Sequence, residues 1–133
     1  MNEEMIKEAV SLADEVGYVF VATADEDGLP HMASAGKLTL DSQRHLVLAE
    51  WFCPRTVSNV KENHQISLVV WDADEDTGYQ LLGDVQDLRE VAVLDGYAPE
   101  EEGTHLPQVE RELLIEVHQV LSFSQGPHTD APQ

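Results

Sequence analysis

Arginine next to threonine, one residue past a proline, is the pair in this chain best suited to holding an anion. Pro54-Arg55-Thr56 follows an apolar run, residues 45–52, that has the character of a strand. Pro54 ends that run. It suits the first turn of a helix, where its missing N–H has no partner to lose. Val57 and Val60 then make an apolar side, and Asn59, Lys61, Glu62 and Asn63 a polar one, so a short helix is predicted. Arg55 and Thr56 fall on its first turn. Free amides and the positive end of the helix dipole lie there. A guanidinium and a hydroxyl added to that end make a phosphate cradle. The other reading of Arg55 is an ion pair with one of the chain's many acids, and the stretch alone does not choose between them.

Other reactive side chains carry weaker signals. Cys53 precedes the helix N-terminus and sits two residues from Arg55, features that lower a thiol pKa. No histidine or second cysteine is near it in sequence, although His31 or His64 could approach in space. A small packed core cysteine is the expectation. His31, His45, His64, His105, His118 and His128 lack metal-ligand spacing, so no zinc site is expected. His31 is expected to be structural. The acidic stretch 72–78 alternates like a calcium loop, but its glycine comes one position late and Gly83 stands where a bidentate glutamate is needed. A solvated connecting loop is expected there. Trp51 and Trp71 are expected in the core or at a dimer interface.

The whole chain limits what such a site can serve. With 133 residues it is one domain, and 42% hydrophobic residues supply a core. Acids number 26 against 7 bases, a formal charge of -19. Nucleic acid and anionic membranes need a basic footprint and are excluded as partners. An anionic ligand would have to be held locally against an unfavourable overall field. No apolar run is long enough to span a membrane, and the acidic start Met1-Asn2-Glu3-Glu4 does not look like a signal peptide. A single cysteine allows no intrachain disulfide, which suits a reducing, cytoplasmic setting.

The elements that would position the site are readable in order. Residues 3–16 space their apolar side chains as a helix does, and Gly17 ends it. Residues 18–23 read as a strand, Asp27-Gly28 as a hairpin turn, and residues 30–40 as the return strand, interrupted at Ser34-Ala35-Gly36. A third strand, residues 45–52, leads to the short helix. Residues 66–71 and 79–94 are further strands, the latter ending at Asp95-Gly96. Residues 97–107 read as a polar surface loop. Residues 109–124 fit a helix face and a strand face about equally. Residues 1–124 form the domain, and residues 125–133 a tail without an apolar anchor, expected to be mobile. Several strands on short turns with two helices describe a mainly β, antiparallel barrel.

Three stretches in sequence resemble a known family. Residues 21–34 (VATADEDGLPHMAS) look like the opening hairpin of the pyridoxamine 5'-phosphate oxidase-like, FMN-binding split-barrel proteins. Arg55-Thr56-Val57-Ser58-Asn59-Val60, with Glu62-Asn63 and residues 66–70 after it, resembles that family's basic-Thr-x-x-Asn helix and following strand. Tyr79-Gln80-Leu81-Leu82-Gly83 resembles the strand that leads to its glycine turn. The likeness runs from about residue 5 to 123 and is nearest to the small single-domain FMN-binding flavoproteins. It implies a six-stranded antiparallel split β-barrel with an N-terminal helix and a short helix inserted after the third strand. It also implies that residues 113–123 are the last strand, and that two copies form a homodimer with FMN near the interface. Arg55 and Thr56 would hold the FMN phosphate, helped by Ser34 and more weakly by Lys37. The ring would lie along the backbone of Glu50-Trp51-Phe52, with Gln80 as a side-chain partner.

The chain also departs from the family. Members that oxidise pyridoxamine phosphate need further bases for the substrate's own phosphate, largely near the C-terminus. Here the region after Gly96 has one base, Arg111, and contains Glu100-Glu101-Glu102. Oxidation of pyridoxamine phosphate itself is therefore not expected. The expected function is an FMN redox protein or oxidoreductase with unknown catalytic residues. The alternatives are a non-enzymatic binding module for another phosphorylated ligand or haem, and a structural dimer.

Overall fold

The computed structural model describes residues 3–94 and 108–133, with side chains described up to residue 91 and again from residue 110. The Asp95-Gly96 turn and the surface loop expected over 97–107 lie outside the described residues, as do Met1 and Asn2. The chain forms α1 (Glu3–Val16), β1 (Val19–Ala24), β2 (Pro30–Ala35), β3 (Lys37–Leu40), β4 (Leu46–Trp51), α2 (Pro54–Glu62), β5 (Gln65–Asp72), β6 (Thr77–Leu94) and β7 (Gln108–Ser122). The fold is mainly β, with an N-terminal helix and a short helix after the β4 strand. Residues 109–122, which periodicity left open, are strand, as the family resemblance implied.

The sheet has seven strands in the order β2-β1-β5-β6-β7-β4-β3, where six were expected. The extra strand comes from Gly36, which divides the return strand in two. β2 and β3 are joined through Gly36 alone yet occupy opposite edges of the sheet. The sheet must therefore curl until its edges meet at that residue, and this closes the barrel. At the corner the Gly36 amide donates to the Glu50 carbonyl at 3.0 Å. A Cβ on Gly36 would lie 3.1 Å from the Glu50 Cβ, so a side chain here would crowd the seam. Glu50 has a φ of 60°, at a register shift between Leu48 and Trp51. A bulge of this kind bends a strand.

Alternation along the strands fills the interior. Val19, Val21, Leu48, Leu68, Val70, Leu81, Leu113 and Ile115 are all essentially inaccessible. Ile6, Ala9 and Ala13 of α1 join the same core, and α1 packs against β3, β5 and β6. The Tyr79 hydroxyl donates to the Glu8 carboxylate at 2.8 Å, tying α1 to β6. No described helix is long and apolar enough to cross a membrane.

The acidic loop after β5 is more than a solvated connection. Asp76 accepts from the Trp71 indole at 3.0 Å and from the amides of Gln125 and Gly126 at 2.7 and 2.9 Å. These bonds fasten the start of the C-terminal tail. Trp71 also meets Phe123 edge-on, with ring centroids 6.0 Å apart.

Candidate functional site

Cys53 is the N-cap of α2 and Pro54 its first helical residue, so Arg55 and Thr56 occupy the first turn, where the sequence puts them. The apolar side of the helix buries Val60 in the core, and α2 packs against β1 and β2. That packing encloses a polar layer. Thr23 of β1 and Asn59 of α2 are both buried, and the Asn59 amide donates to the Thr23 hydroxyl at 3.0 Å. Thr23 stands opposite His31 in the β1–β2 register. The His31 Nε2 lies 4.0 Å from the Cys53 sulfur.

Two polar atoms in this layer are buried and without a hydrogen-bond partner. They are the Thr56 hydroxyl, on a residue only 1% exposed, and the His31 Nδ1. A buried polar group left unpaired costs about 1–3 kcal/mol, so such groups point to a missing partner or to a purpose. Arg55 is exposed and lines an open hollow of about 500 Å³ with Pro54, Ser58, Asn59 and Asp25. Arg44, Arg89 and Arg111 pair with Glu3, Glu112 and Glu90, whereas Arg55 has no acid within ion-pair distance among the described residues. Asp25 shares the hollow, but its Oδ1 accepts from the amides of Asp27 and Leu29.

Cys53 is half-buried rather than packed in the core. Its position at the helix end is the reason, since an N-cap stands outside the apolar face of the helix that it starts. Burial pushes the thiol up, but the Thr56 amide, the Thr56 hydroxyl, the Arg55 amide and the Arg55 charge outweigh it, and the thiol lies below its ordinary value. The Thr56 hydroxyl is turned toward the sulfur without forming a full hydrogen bond.

The remaining expected site residues are more dispersed. Ser34 is exposed on β2, on the opposite face of that strand from His31. Lys37 is exposed at the start of β3 and shares a hollow with Glu50, Glu110 and Glu112. Glu50 is exposed, and its carbonyl is taken by Gly36. The Trp51 ring is only 2% exposed, and its indole donates to the Leu48 carbonyl at 3.1 Å, so it belongs to the core. Phe52, just beyond β4, is exposed. The Gln80 amide donates to the Ser67 hydroxyl at 2.8 Å.

Another group was not singled out from the sequence. His118 sits at a register shift, where Leu82 pairs with Gln119 and Gly83 with Val117. The bulge turns His118 toward Asp84, with Nε2 2.6 Å from the carboxylate. Both line an open cavity of about 520 Å³ with Ala22, Ser67, Leu82 and Gln119. Gly83 is the one local signal for it. A Cβ there would come within 2.1 Å of the Glu116 carbonyl oxygen, so only glycine allows this approach.

Known proteins share this architecture. An uncharacterized protein of Methanocaldococcus jannaschii is 30% identical over 131 residues, covering 96% of this chain and 83% of that protein. The structure of an FMN-binding protein from Syntrophomonas wolfei superposes with a TM-score of 0.62 at 18% identity, covering 96% of this chain and 91% of the other. HutZ, a haem storage protein of Vibrio cholerae, superposes with a TM-score of 0.57 at 14% identity, covering 91% and 94%. At these identities the two structures share the fold. The sequence pattern of pyridoxamine 5'-phosphate oxidase matches residues 5–120, which span the hairpin, the α2 mouth and the Gln80 strand just described. The chain therefore belongs to the pyridoxamine 5'-phosphate oxidase family.

Proposed function

We propose that this protein binds FMN, with the phosphate at the N-terminus of α2, and acts as a redox flavoprotein. The observation that carries the reading is Arg55 on the first turn of α2. Among the described residues it has no acidic partner, although the chain holds 26 acids. An arginine left free in so acidic a chain, at the positive end of a helix and beside the unpartnered Thr56 hydroxyl, suits a phosphate dianion. Ser34 and Lys37 would assist, and the ring would run along Glu50-Trp51-Phe52 with Gln80 as a polar contact. Because the Trp51 ring lies in the core, that contact would come from backbone groups. A homodimer with FMN near the interface completes the reading. FMN, when bound, supplies the electron-transfer chemistry, and the protein supplies binding and orientation. Residues 125–133 would form a tail outside the domain, although Asp76 holds its start and the Gln133 amide donates to the Val120 carbonyl at 2.8 Å.

The purified protein should show a flavin spectrum after incubation with FMN and removal of the unbound fraction. Dithionite should bleach it and air should restore it. FMN should bind much more tightly than riboflavin, which lacks the phosphate. Equal affinities would remove the α2 cradle from the reading, and a blank spectrum would remove the flavin.

One observation favours haem as a second reading. His118 lies at the 520 Å³ cavity with its Nε2 on Asp84. A carboxylate on the far nitrogen is the usual support for a metal-bound imidazole. A Soret band on haem addition, lost in His118→Ala, would favour it over FMN.

A further inference from the structure

We propose that Cys53, in contact with the His31 imidazole, is a thiolate that is oxidised by hydroperoxides, making the mouth of α2 a modification site. The reaction is one of the protein without FMN, because a phosphate at this mouth would compete for the same Arg55 and Thr56. Cys53 is the one cysteine of the chain, and it is neither exposed on a loop nor sealed in the core. It caps a nine-residue helix, so its sulfur meets the free amides of the first turn. The charged and titratable groups set against it are His31 from β2 and Arg55 from α2.

Two independent features mark the site as built for charge. His31 reaches the sulfur across 22 positions of chain, brought there by the β1–β2 hairpin, and its other nitrogen is buried and unpartnered. Thr56 is 1% exposed, and its unpartnered hydroxyl is turned toward the same sulfur. A neutral thiol is a poor acceptor and gives neither group a good partner. A thiolate would give one to the Thr56 hydroxyl and to the His31 Nε2, though not to the His31 Nδ1, because a hydrogen bond to an ionised acceptor is shorter and stronger.

The reaction balances with the groups present. The thiolate sulfur attacks one oxygen of hydrogen peroxide, an S–O bond forms and the O–O bond breaks. Sulfur is oxidised by two electrons and the peroxide is reduced. The departing hydroxide takes a proton from solvent and leaves as water, so Cys53 becomes a sulfenic acid. With no second cysteine in the chain, an external thiol must resolve the sulfenic acid as a mixed disulfide, releasing water.

The test is the pH dependence of iodoacetamide alkylation, followed by intact mass, in the folded protein and in urea. The folded protein should reach half-maximal rate at lower pH than the unfolded chain. His31→Asn should slow alkylation at pH 7 by roughly threefold or more, and Thr56→Val by less. Hydrogen peroxide should add one dimedone-trappable oxygen at Cys53. A pH profile unchanged by His31→Asn in a folded variant would overturn the role of His31, leaving the helix end as the whole cause. If that variant does not fold, the wild-type profile carries the test, and a profile no lower than that of the urea-unfolded chain overturns the proposal. A thiol that peroxide leaves unmodified overturns the oxidation.

Discussion

At the tip of the β5–β6 hairpin, Asp76 commits its two carboxylate oxygens to the Trp71 indole and the amides of Gln125 and Gly126. At the mouth of α2, the Thr56 hydroxyl and the His31 Nδ1 are buried and have no partner. Both clusters are polar, and both draw together segments distant in sequence. In the first each carboxylate oxygen has a partner, which suits a structural role. The second keeps free valence at a point of positive potential, and a folded chain tolerates that cost where a ligand or a reaction uses it. An acidic protein thus uses an acid as its clamp and, among the described residues, leaves Arg55 without an acidic partner at its site.

Substitutions can separate the two roles. The largest effect is expected at Gly78, beside the clamp. A Cβ there would lie 2.5 Å from the Val70 carbonyl oxygen and 2.9 Å from that of Phe123. Gly78→Ala should cost at least about 1–3 kcal/mol in urea unfolding, the usual range for overpacking. A variant as stable as the parent would mean that the hairpin tip is not tightly held.

Arg55→Ala should do the reverse. FMN affinity should fall by about ten- to a hundredfold, the worth of one or two charge-assisted hydrogen bonds, with Tm unchanged. A large fall in Tm would move Arg55 into the structural class.

Asp76→Asn should lower Tm and change its pH dependence. The amides of Gln125 and Gly126, and then the Trp71 indole, hold the Asp76 carboxyl below its ordinary value of 3.8. Its folded value is therefore below its unfolded one. The stabilisation is fully present above the unfolded value and is lost as pH falls through the folded one. Acid titration of Tm should show this loss in the parent and not in the variant.

The smallest effect is expected for Thr56→Val. Removing an unpaired buried hydroxyl should leave Tm level or slightly raised, while FMN affinity falls about fivefold. A clear loss of stability would show that the hydroxyl is paired in solution, and would erase the contrast with Asp76.

Local signals located much of this in advance. Pro54 marked the start of α2. Asp27-Gly28 marked the first hairpin, where Gly28 adopts a φ of +87°. Gly36 was readable as an interruption but not as the corner where the sheet closes, because closure depends on which strands become edges. Cys53 was legible as a helix-end thiol, yet its exposure was misjudged, since burial depends on neighbours that the local sequence does not name.

The sequence by itself determined most of the elements, the family, and the placement of Arg55 and Thr56 on a first helical turn. These follow from spacing within a few residues and from backbone preferences. Periodicity left residues 109–124 open and did not divide the return strand at Gly36 into two. Only the tertiary structure brought His31 to Cys53, Asn59 to Thr23 and His118 to Asp84. It alone paired three arginines with acids and left Arg55 without one among the described residues. Those outcomes depend on strand register and on a one-residue bulge. A single step of either turns a side chain to the opposite face of the sheet.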